Sequence, residues 1–289
     1  MINENGYYAN KILKQYAKEN RLLPRSTSDL SGLEEWLIMR LKTTDVNLKT
    51  EINFIDILLS LYKIYSKPGR EELMREFILS FYKDLDFEIN FTQGNISVKR
   101  GKGVQVLLNA HLDSWMDDPK LFYSKLNLSD RIQAPGFMIG NDDKVGIAMI
   151  LYLSKFTNLE FKALFTHSEE IGNIGIKSIS NSYYLDCLMA ITLDRRHGND
   201  LISSYKGLKM ISDDSIKFIE SISHLKQTDG IFADTYYIAQ NIPAFNMSVG
   251  YYGEHNKNDY VIISEALESL NFVKEFIEKK HYLKIGLAY

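Results

Sequence analysis

Short apolar runs alternate with longer amphipathic segments over the last two thirds of the chain. The runs are VQVLLNA (104–110), FKALFT (161–166), CLMAITL (187–193) and AFNMSVG (244–250). Their length and flanking turn residues indicate strands buried on both faces. Apolar residues recur at helical spacing in 144–156, 213–225 and 264–283. Strands that alternate with helices predict an α/β fold, with three αβα layers and a mixed, mainly parallel central sheet.

The segments before the first strand predict two helices and a hairpin. Residues 52–65 and 70–85 have apolar positions at helical spacing. Residues 87–101 alternate apolar and polar positions on either side of Gln93-Gly94-Asn95, which is typical of a β-hairpin.

Residues 1–50 differ from the rest of the chain. Helical spacing at 5–20 and 31–42 is interrupted by a Pro- and Ser-containing loop. We therefore predict two units, a helical N-terminal extension of residues 1–50 and a compact domain of residues 51–289. The extension either braces the main domain or binds a partner, and bracing is the simpler interpretation.

Composition and charge narrow the classes of function. The chain has 289 residues, of which 45% are hydrophobic, and a net charge of −3 argues against a nucleic-acid partner. No apolar run approaches the ~18–20 residues of a membrane span, and no secretory signal is evident. We expect a cytoplasmic protein. Cys187 lies in an apolar run and is expected to be a core residue, since reactive thiols occupy electropositive, partly exposed places.

Metal-binding residue types follow each predicted strand. Sites in parallel sheets form outside the carboxyl ends of the strands. The residues found there, or at the start of the helix predicted at 144–156, are His111, Asp113, Asp142, Asp143, Glu169, Glu170, Asp194 and His255. Each alone has an ordinary structural explanation, such as a helix N-cap or a surface ion pair. Their joint placement on one sheet edge favours a shared site.

This set of side chains has the chemistry of a zinc site. Two histidines and several carboxylates suit Zn²⁺ or a similar transition ion, whereas structural zinc sites are usually rich in cysteine. So many acids in one cleft would repel each other without cations. The pattern predicts two metal ions ~3.5–4 Å apart that share one carboxylate.

Five motifs in order resemble those of the co-catalytic zinc exopeptidases (metallopeptidase clan MH). They are NAHLDS, GNDDKVG, FTHSEEIG, LDRR and IPAFNMSVGYYGEHNKNDY, and the resemblance spans about residues 51 to 283. The superfamily includes peptidase T-like, bacterial leucyl aminopeptidase-like and glutamyl aminopeptidase-like enzymes. The intervals between the motifs are too short for the lid or dimerisation domain that some members insert, so the resemblance implies a compact member.

The resemblance implies a ligand set residue by residue. His111 and Asp194 would bind one zinc, Glu170 and His255 would bind the other, and Asp142 would bridge the pair. Co²⁺ or Mn²⁺ are alternatives to the two Zn²⁺ ions.

The resemblance also implies the catalytic roles. Glu169 would be the general base, and Asp113 would orient the His111 imidazole as its hydrogen-bond acceptor. The implied activity is a metal-dependent exopeptidase, an aminopeptidase rather than a carboxypeptidase, acting on a small peptide or amino-acyl substrate. A related amide hydrolase or deacylase is the second hypothesis, and a non-catalytic binding protein is the third. A homo-oligomer is left open.

Residues around the predicted site have two interpretations each. Asp143, Asp234 or Glu254 could hold a substrate ammonium, although Asp234 is also placed to cap a helix. Arg195 and Arg196 could hold a substrate carboxylate or balance the charge of the metal cluster.

Aromatic and apolar side chains next to the predicted ligands could shape a substrate pocket. They are Trp115, Met116, Tyr251 and Tyr252.

Overall fold

The computed structural model describes residues 48–286, apart from residues 104 and 231. The two helices predicted within residues 1–50 lie outside the described residues. The described chain begins with a helix at Leu48, three residues before the predicted start of the compact domain.

The described residues form fourteen strands, nine α-helices and two 3₁₀ turns. The strands are β1 Glu88–Thr92, β2 Asn95–Arg100, β3 Gln105–His111, β4 Asn127–Leu128, β5 Arg131–Gln133, β6 Phe161–Thr166, β7 Cys187–Arg195, β8 Asp200–Ile202, β9 Ser204–Tyr205, β10 Leu208–Lys209, β11 Lys226–Thr228, β12 Ala244–Ser248, β13 Tyr251–Tyr252 and β14 Tyr260–Ile262. The helices are α1 Leu48–Tyr62, α2 Glu72–Tyr82, α3 Pro119–Phe122, α4 Asn141–Phe156, α5 Ile174–Ser178, α6 Asp213–Ile222, α7 Thr235–Ile238, α8 Ile263–Glu278 and α9 Tyr282–Gly286.

Eight strands form the central sheet, in the order β1-β2-β6-β3-β7-β12-β8-β11. The four strands predicted from apolar runs are the adjacent block β6-β3-β7-β12, and they are parallel to one another. β2 is antiparallel to β6, and β8 is antiparallel to β12. The sheet is therefore mixed and mainly parallel, which confirms the predicted α/β fold.

Both faces of the central strands are buried because helices pack on each side. Along β3, Val106 and Leu108 belong to a large core with α1, α2, α4, α6 and α8, whereas Leu107 faces a smaller core with α5 and α7. This alternation follows from the two-residue period of a strand. It explains why the strands were recognisable as continuous apolar runs.

The predicted hairpin is confirmed as β1 and β2. Thr92 pairs with Asn95, so the connection has two residues. Gln93 and Gly94 have φ values of 50° and 82°. Two left-handed residues in succession match the twist of the flanking strands, and glycine adopts that conformation at little cost.

The helix predicted at 264–283 is two helices in the structure, and the single-helix prediction was wrong. α8 ends at Glu278, Lys280 has a φ of 53°, and α9 begins at Tyr282. The His281 N–H donates to the Phe276 carbonyl at 2.9 Å, which is the bond that closes a Schellman C-cap. Helical periodicity continues through this cap, so the apolar pattern did not reveal it.

A smaller antiparallel sheet, in the order β13-β14-β5-β4, follows the carboxyl end of β12. Tyr251 of β13 pairs with Val261 of β14, and residues 253–259 form the turn between these strands. This turn carries His255. Within the described part of the chain, no helix combines the length and the apolar character needed to cross a membrane.

Candidate metal centre

The structure brings all seven predicted site residues to one edge of the central sheet. His111 ends β3, Asp113 follows it, and Asp194 lies near the end of β7. Glu169 and Glu170 come shortly after β6 ends. The remaining two, Asp142 at the start of α4 and His255 in the β13–β14 turn, complete the group.

The Asp142 carboxylate lies between the two histidines. Its Oδ1 is 2.9 Å from His111 Nε2, and its Oδ2 is 3.4 Å from His255 Nε2. Each oxygen therefore faces a different imidazole. A carboxylate that bridges two metal ions has this arrangement, with each oxygen directed at one ion.

One further carboxylate accompanies each histidine. Asp194 Oδ1 is 3.6 Å from His111 Nε2, and Glu170 Oε1 is 2.8 Å from His255 Nε2. The centre therefore contains two groups, each with one imidazole and one carboxylate, on either side of Asp142. Nitrogen and oxygen donors in this ratio suit zinc or a similar transition ion.

Asp143 is close to this cluster but is engaged by the backbone. Ligand atoms of His111, Asp143 and Asp194 lie within 4.8 Å of one another. However, its carboxylate accepts the N–H of His111 at 3.1 Å and the N–H of Gly146 at 3.2 Å. It is fully buried and ties the end of β3 to the first turn of α4. Asp143 therefore has different contacts from Asp142. The peptide bond between the two residues is cis.

Asp113 holds the backbone of both glutamates. Its Oδ1 accepts the N–H of Glu169 at 2.9 Å, and its Oδ2 accepts the N–H of Glu170 at 3.1 Å. The backbone carbonyl of Asp113 is 2.9 Å from His111 Nδ1, whereas its carboxylate is 3.4 Å away. Asp113 thus orients His111 mainly through the main chain and positions the glutamates through its side chain.

The adjacent glutamates point to different partners. Glu170 meets His255, whereas Glu169 Oε1 accepts a hydrogen bond of 2.7 Å from Asn173 Nδ2. Asn173 lies four residues further on, where the loop turns into α5. Glu169 is therefore a carboxylate beside the cluster that is not paired with either histidine.

The carboxylates raise the pKa of both histidines. Burial alone would lower the pKa of His111, but hydrogen bonds to Asp113 and Asp142 help to raise it well above its usual value. Hydrogen bonds to Asp142 and Glu170 raise the pKa of His255 to about 10. In the absence of metal, protonated imidazoles therefore balance part of the negative charge.

Burial and mutual repulsion raise the pKa of most of the acids. Burial, and then the charge of Asp142, raises the pKa of Asp194 to about 7. Burial, with the charges of Asp194 and Asp234 adding to it, raises the pKa of Glu169 to about 9. Asp142 is the exception, because its hydrogen bonds to the two imidazoles outweigh burial and lower its pKa. Raised pKa values in a buried cluster of carboxylates reflect uncompensated negative charge, which bound cations would balance.

Comparison with known proteins finds similarity in structure only. No protein-family model and no curated protein sequence matches the chain. Aminopeptidase PepT from Bacillus cereus superposes with a TM-score of 0.65 at 13% identity, covering 79% of this chain and 98% of that one. A tripeptidase from Staphylococcus aureus gives 0.64 at 14% identity, covering 78% and 97%. The TET1 peptidase of Pyrococcus horikoshii gives 0.60 at 16% identity, covering 78% and 99%. The chain shares its fold with these peptidases.

Asp259 is a site residue that the sequence did not reveal. It lies four residues after His255, is buried, and accepts three backbone N–H groups, those of residues 139, 140 and 141, on Oδ2 at 2.7–3.2 Å. Its Oδ1 accepts from Asn141 Nδ2 at 2.6 Å. These bonds join the turn that carries His255 to the loop that leads into Asp142. The partners are more than a hundred residues apart in sequence, so no local pattern pointed to them.

The arginines and acids at the rim are already paired. Arg195 donates to Asp200 at 2.8 Å through Nε, and its Nη2 lies 2.8 Å from the same oxygen. Arg196 Nη1 lies 2.8 Å from Glu254. Both arginines therefore contact acids outside the metal cluster, so the predicted balancing of the cluster's charge by these residues stays a prediction.

The side chains suggested for a substrate pocket differ in exposure. Met116 is fully buried, and Tyr251 is buried with its hydroxyl 3.3 Å from Asp194 Oδ1. Tyr252 is partly exposed and donates to Glu265. Trp115 is 37% exposed and is the most open of the four.

Proposed function

We propose that this chain is a metal-dependent exopeptidase that binds two divalent cations and acts at the amino end of small peptides. The observation that carries the proposal is the placement of Asp142, whose two oxygens each face a different histidine. A carboxylate shared in this way supports a two-metal centre rather than a single structural ion. The resemblance to aminopeptidases in fold supports the same conclusion but does not carry it.

The residues present fit two zinc ions. In the proposed assignment, His111 and Asp194 hold one ion, His255 and Glu170 hold the other, and Asp142 bridges them. Buried acids with raised pKa values beside two imidazoles form a donor set whose charge two cations would balance. Co²⁺ or Mn²⁺ would be bound by the same donors.

Glu169 supplies the proton chemistry in this proposal. Cations bound here would lower the pKa of a water and polarise the scissile carbonyl. Glu169 accepts a proton from the attacking water and donates it to the departing amine nitrogen. It is suited to this because its carboxylate is beside the cluster, is paired with neither histidine, and is held by Asn173.

The charge around the centre favours an amino-end substrate. Arg195 and Arg196, the cations suited to a substrate carboxylate, are engaged by Asp200 and Glu254. With both arginines engaged, neither is free for the carboxylate of a substrate, which favours recognition at the amino end. An amide hydrolase or deacylase would use the same machinery and is the second candidate, and a non-catalytic binding protein is the third.

A hydrolysis screen tests the proposal. Purified protein would be assayed for bound metal and then tested on amino-acyl amides, dipeptides and N-acylated amino acids, with and without a chelator. We expect chelator-sensitive cleavage of substrates with a free amino terminus. Cleavage restricted to N-acylated substrates would instead establish the deacylase. The absence of zinc, cobalt and manganese would favour the non-catalytic binding protein.

Self-association and a cytoplasmic location are further parts of the proposal. The TET1 peptidase of Pyrococcus horikoshii, which has a similar fold, can assemble into a tetrahedron or a large octahedral shell. Light scattering of this protein in solution tests whether it also forms a closed oligomer, and a monomeric mass would remove this part of the proposal.

A further inference from the structure

A chain of hydrogen bonds connects the sheet to the carboxylate of Glu169. Asn173 Nδ2 donates to Glu169 Oε1 at 2.7 Å and to Asp234 Oδ1 at 3.0 Å. The second oxygen of Asp234 accepts from the hydroxyl of Thr166, the last residue of β6. Asp234 lies in the loop before α7, 61 residues from Asn173 in sequence. The network therefore joins two separate parts of the chain, the segment 166–173 and the loop before α7.

Neither Asn173 nor Asp234 uses its side chain to cap the helix that follows it. Asn173 and Asp234 stand at the N-cap positions of α5 and α7, where Asn and Asp side chains usually accept a backbone N–H. Among the described residues, neither side chain makes that capping bond. The expectation that Asp234 caps a helix is therefore not met. Both residues are buried, with 1% and 2% exposure, and both are directed at Glu169 or at each other.

The chemistry of the amide fixes which atoms face each other. An amide nitrogen has two hydrogens and can only donate, so a single Nδ2 can serve two carboxylates at once. The opposite orientation of the amide would place its oxygen against both carboxylates, so neither would receive a hydrogen bond from Asn173. In the structure Glu169 Oε1 accepts from Asn173, which leaves Oε2 as the oxygen available to take up a proton.

We propose that Asn173 and Asp234 are a positioning pair that holds Glu169 with Oε2 directed at the attacking water. This inference rests on the proposed function. As the water oxygen bonds to the carbonyl carbon, its proton passes to Oε2, and when the C–N bond breaks this proton passes to the amine nitrogen. Asp234, fixed to β6 through Thr166, orients Asn173, and Asn173 orients Glu169. Both residues are buried, which suits a role in positioning Glu169 and not in binding substrate.

The first variant is Asn173→Gly, chosen because Asn173 has a φ of 54°. Glycine adopts this left-handed conformation without strain, so the substitution removes the two donors and leaves the turn intact. We expect kcat to fall by about 10- to 100-fold, since a small misplacement of a catalytic group is costly. KM should stay within about twofold, and the metal content should not change. Lys280→Gly is the matched control, because Lys280 also has a left-handed φ of 53° and is exposed at the end of α8.

Substitutions of Asp234 distinguish orientation from a general structural role. An asparagine at 234 can still accept from Asn173 through its oxygen and donate to the Thr166 hydroxyl through its nitrogen. Alanine can do neither. We expect Asp234→Ala to lower kcat as much as Asn173→Gly, and Asp234→Asn to recover most of that loss. The double variant Asn173→Gly/Asp234→Ala should be no slower than the slower single variant, because both changes break one network.

A structural measurement keeps this inference separate from the proposed function. Crystal structures of the wild type and of Asn173→Gly would be compared with the same metal bound. We expect one conformation of the Glu169 carboxylate in the wild type, and a displaced or split carboxylate in the variant with unmoved metal ligands. If the wild type cleaves no peptide, the proposed function fails, while this comparison still decides the positioning role. An unmoved Glu169, or an unchanged kcat in an active enzyme, would overturn the inference.

Discussion

The adjacent carboxylates Glu169 and Glu170 can have different roles because Asp113 holds the backbone of both, while their side chains point in different directions. Asp113 binds the N–H groups of both Glu169 and Glu170 and so sets the direction in which each side chain leaves the loop. Glu170 then reaches His255, and Glu169 reaches Asn173. Two like charges in sequence are therefore separated in space, which is how one loop can supply both a ligand and a base.

At the residue scale, we expect Glu169→Gln to retain metal and lose activity. Glutamine has the same shape and can still accept from Asn173, but it cannot take up a proton. The expected fall in kcat is about 10²-fold or more. Metal analysis and steady-state kinetics on the same sample check both halves of this prediction. Turnover close to that of the wild type would remove Glu169 as the base.

Asp113→Asn tests whether the carboxylate organises the loop after β6. The amide of asparagine would direct its NH₂ group at one of the two backbone N–H donors, which leaves that donor buried without an acceptor. We expect metal affinity to fall by about 10- to 100-fold, as for other residues that support metal ligands. Calorimetric titration measures the change. Asp118→Asn is the control, since the Asp118 side chain caps the short helix α3 by accepting the Lys120 N–H. An equal loss in both variants would contradict the prediction.

At the element scale, α4 approaches the sheet closely enough to place Asp142 beside Asp194. Gly146 permits this approach, because a Cβ at this position would be 2.2 Å from the Leu193 carbonyl oxygen and 2.4 Å from Asp143 Oδ1. Leu193 is part of β7 and immediately precedes Asp194. The first turn of α4 can therefore meet β7 only where the helix has no side chain.

We accordingly expect Gly146→Ala to destabilise the protein by about 1–3 kcal/mol and to weaken metal binding. The added methyl group pushes α4 from β7 and separates two of the ligands. Thermal unfolding should show a lower Tm, by roughly 2–4 °C per kcal/mol for a domain of this size. Gly103→Ala is the control, because a Cβ there meets no atom within 4 Å. The explanation fails if the two variants unfold at the same temperature.

At the scale of the whole molecule, the centre joins the two sheets and the start of α4. The four central strands end at it, and the β13–β14 turn closes it from the smaller sheet. Bound cations would connect these elements, so metal binding and global stability should be linked.

We expect removal of metal to lower stability most at high pH. In the metal-free protein, the pKa of Asp194 is raised from 3.8 to about 7, and that of His255 from 6.5 to about 10. Because both pKa values are higher in the folded state, the folded protein binds more protons and its stability falls as pH rises through these windows. Cations that replace the protons should reverse this loss.

Differential scanning calorimetry with chelator and with zinc, at about pH 5.5 and about pH 8.5, checks this linkage. The chelated protein should have the lower Tm at the higher pH, and zinc should restore most of the difference there. Equal Tm values for the chelated and zinc-loaded protein at the higher pH would contradict it.

The sequence by itself determined the four parallel strands and the residue types at their carboxyl ends. A strand buried on both faces needs a continuous apolar run, which is a local property, and parallel strands must direct their carboxyl ends to one edge. The break between α8 and α9 at Lys280 was not predicted, because the helical spacing of apolar residues continues through the C-cap. Only the tertiary structure decided the strand order, the different surroundings of Asp142 and Asp143, and the bond between Asn173 and Asp234. These depend on how distant loops meet, and no local pattern of polar and apolar residues encodes that meeting.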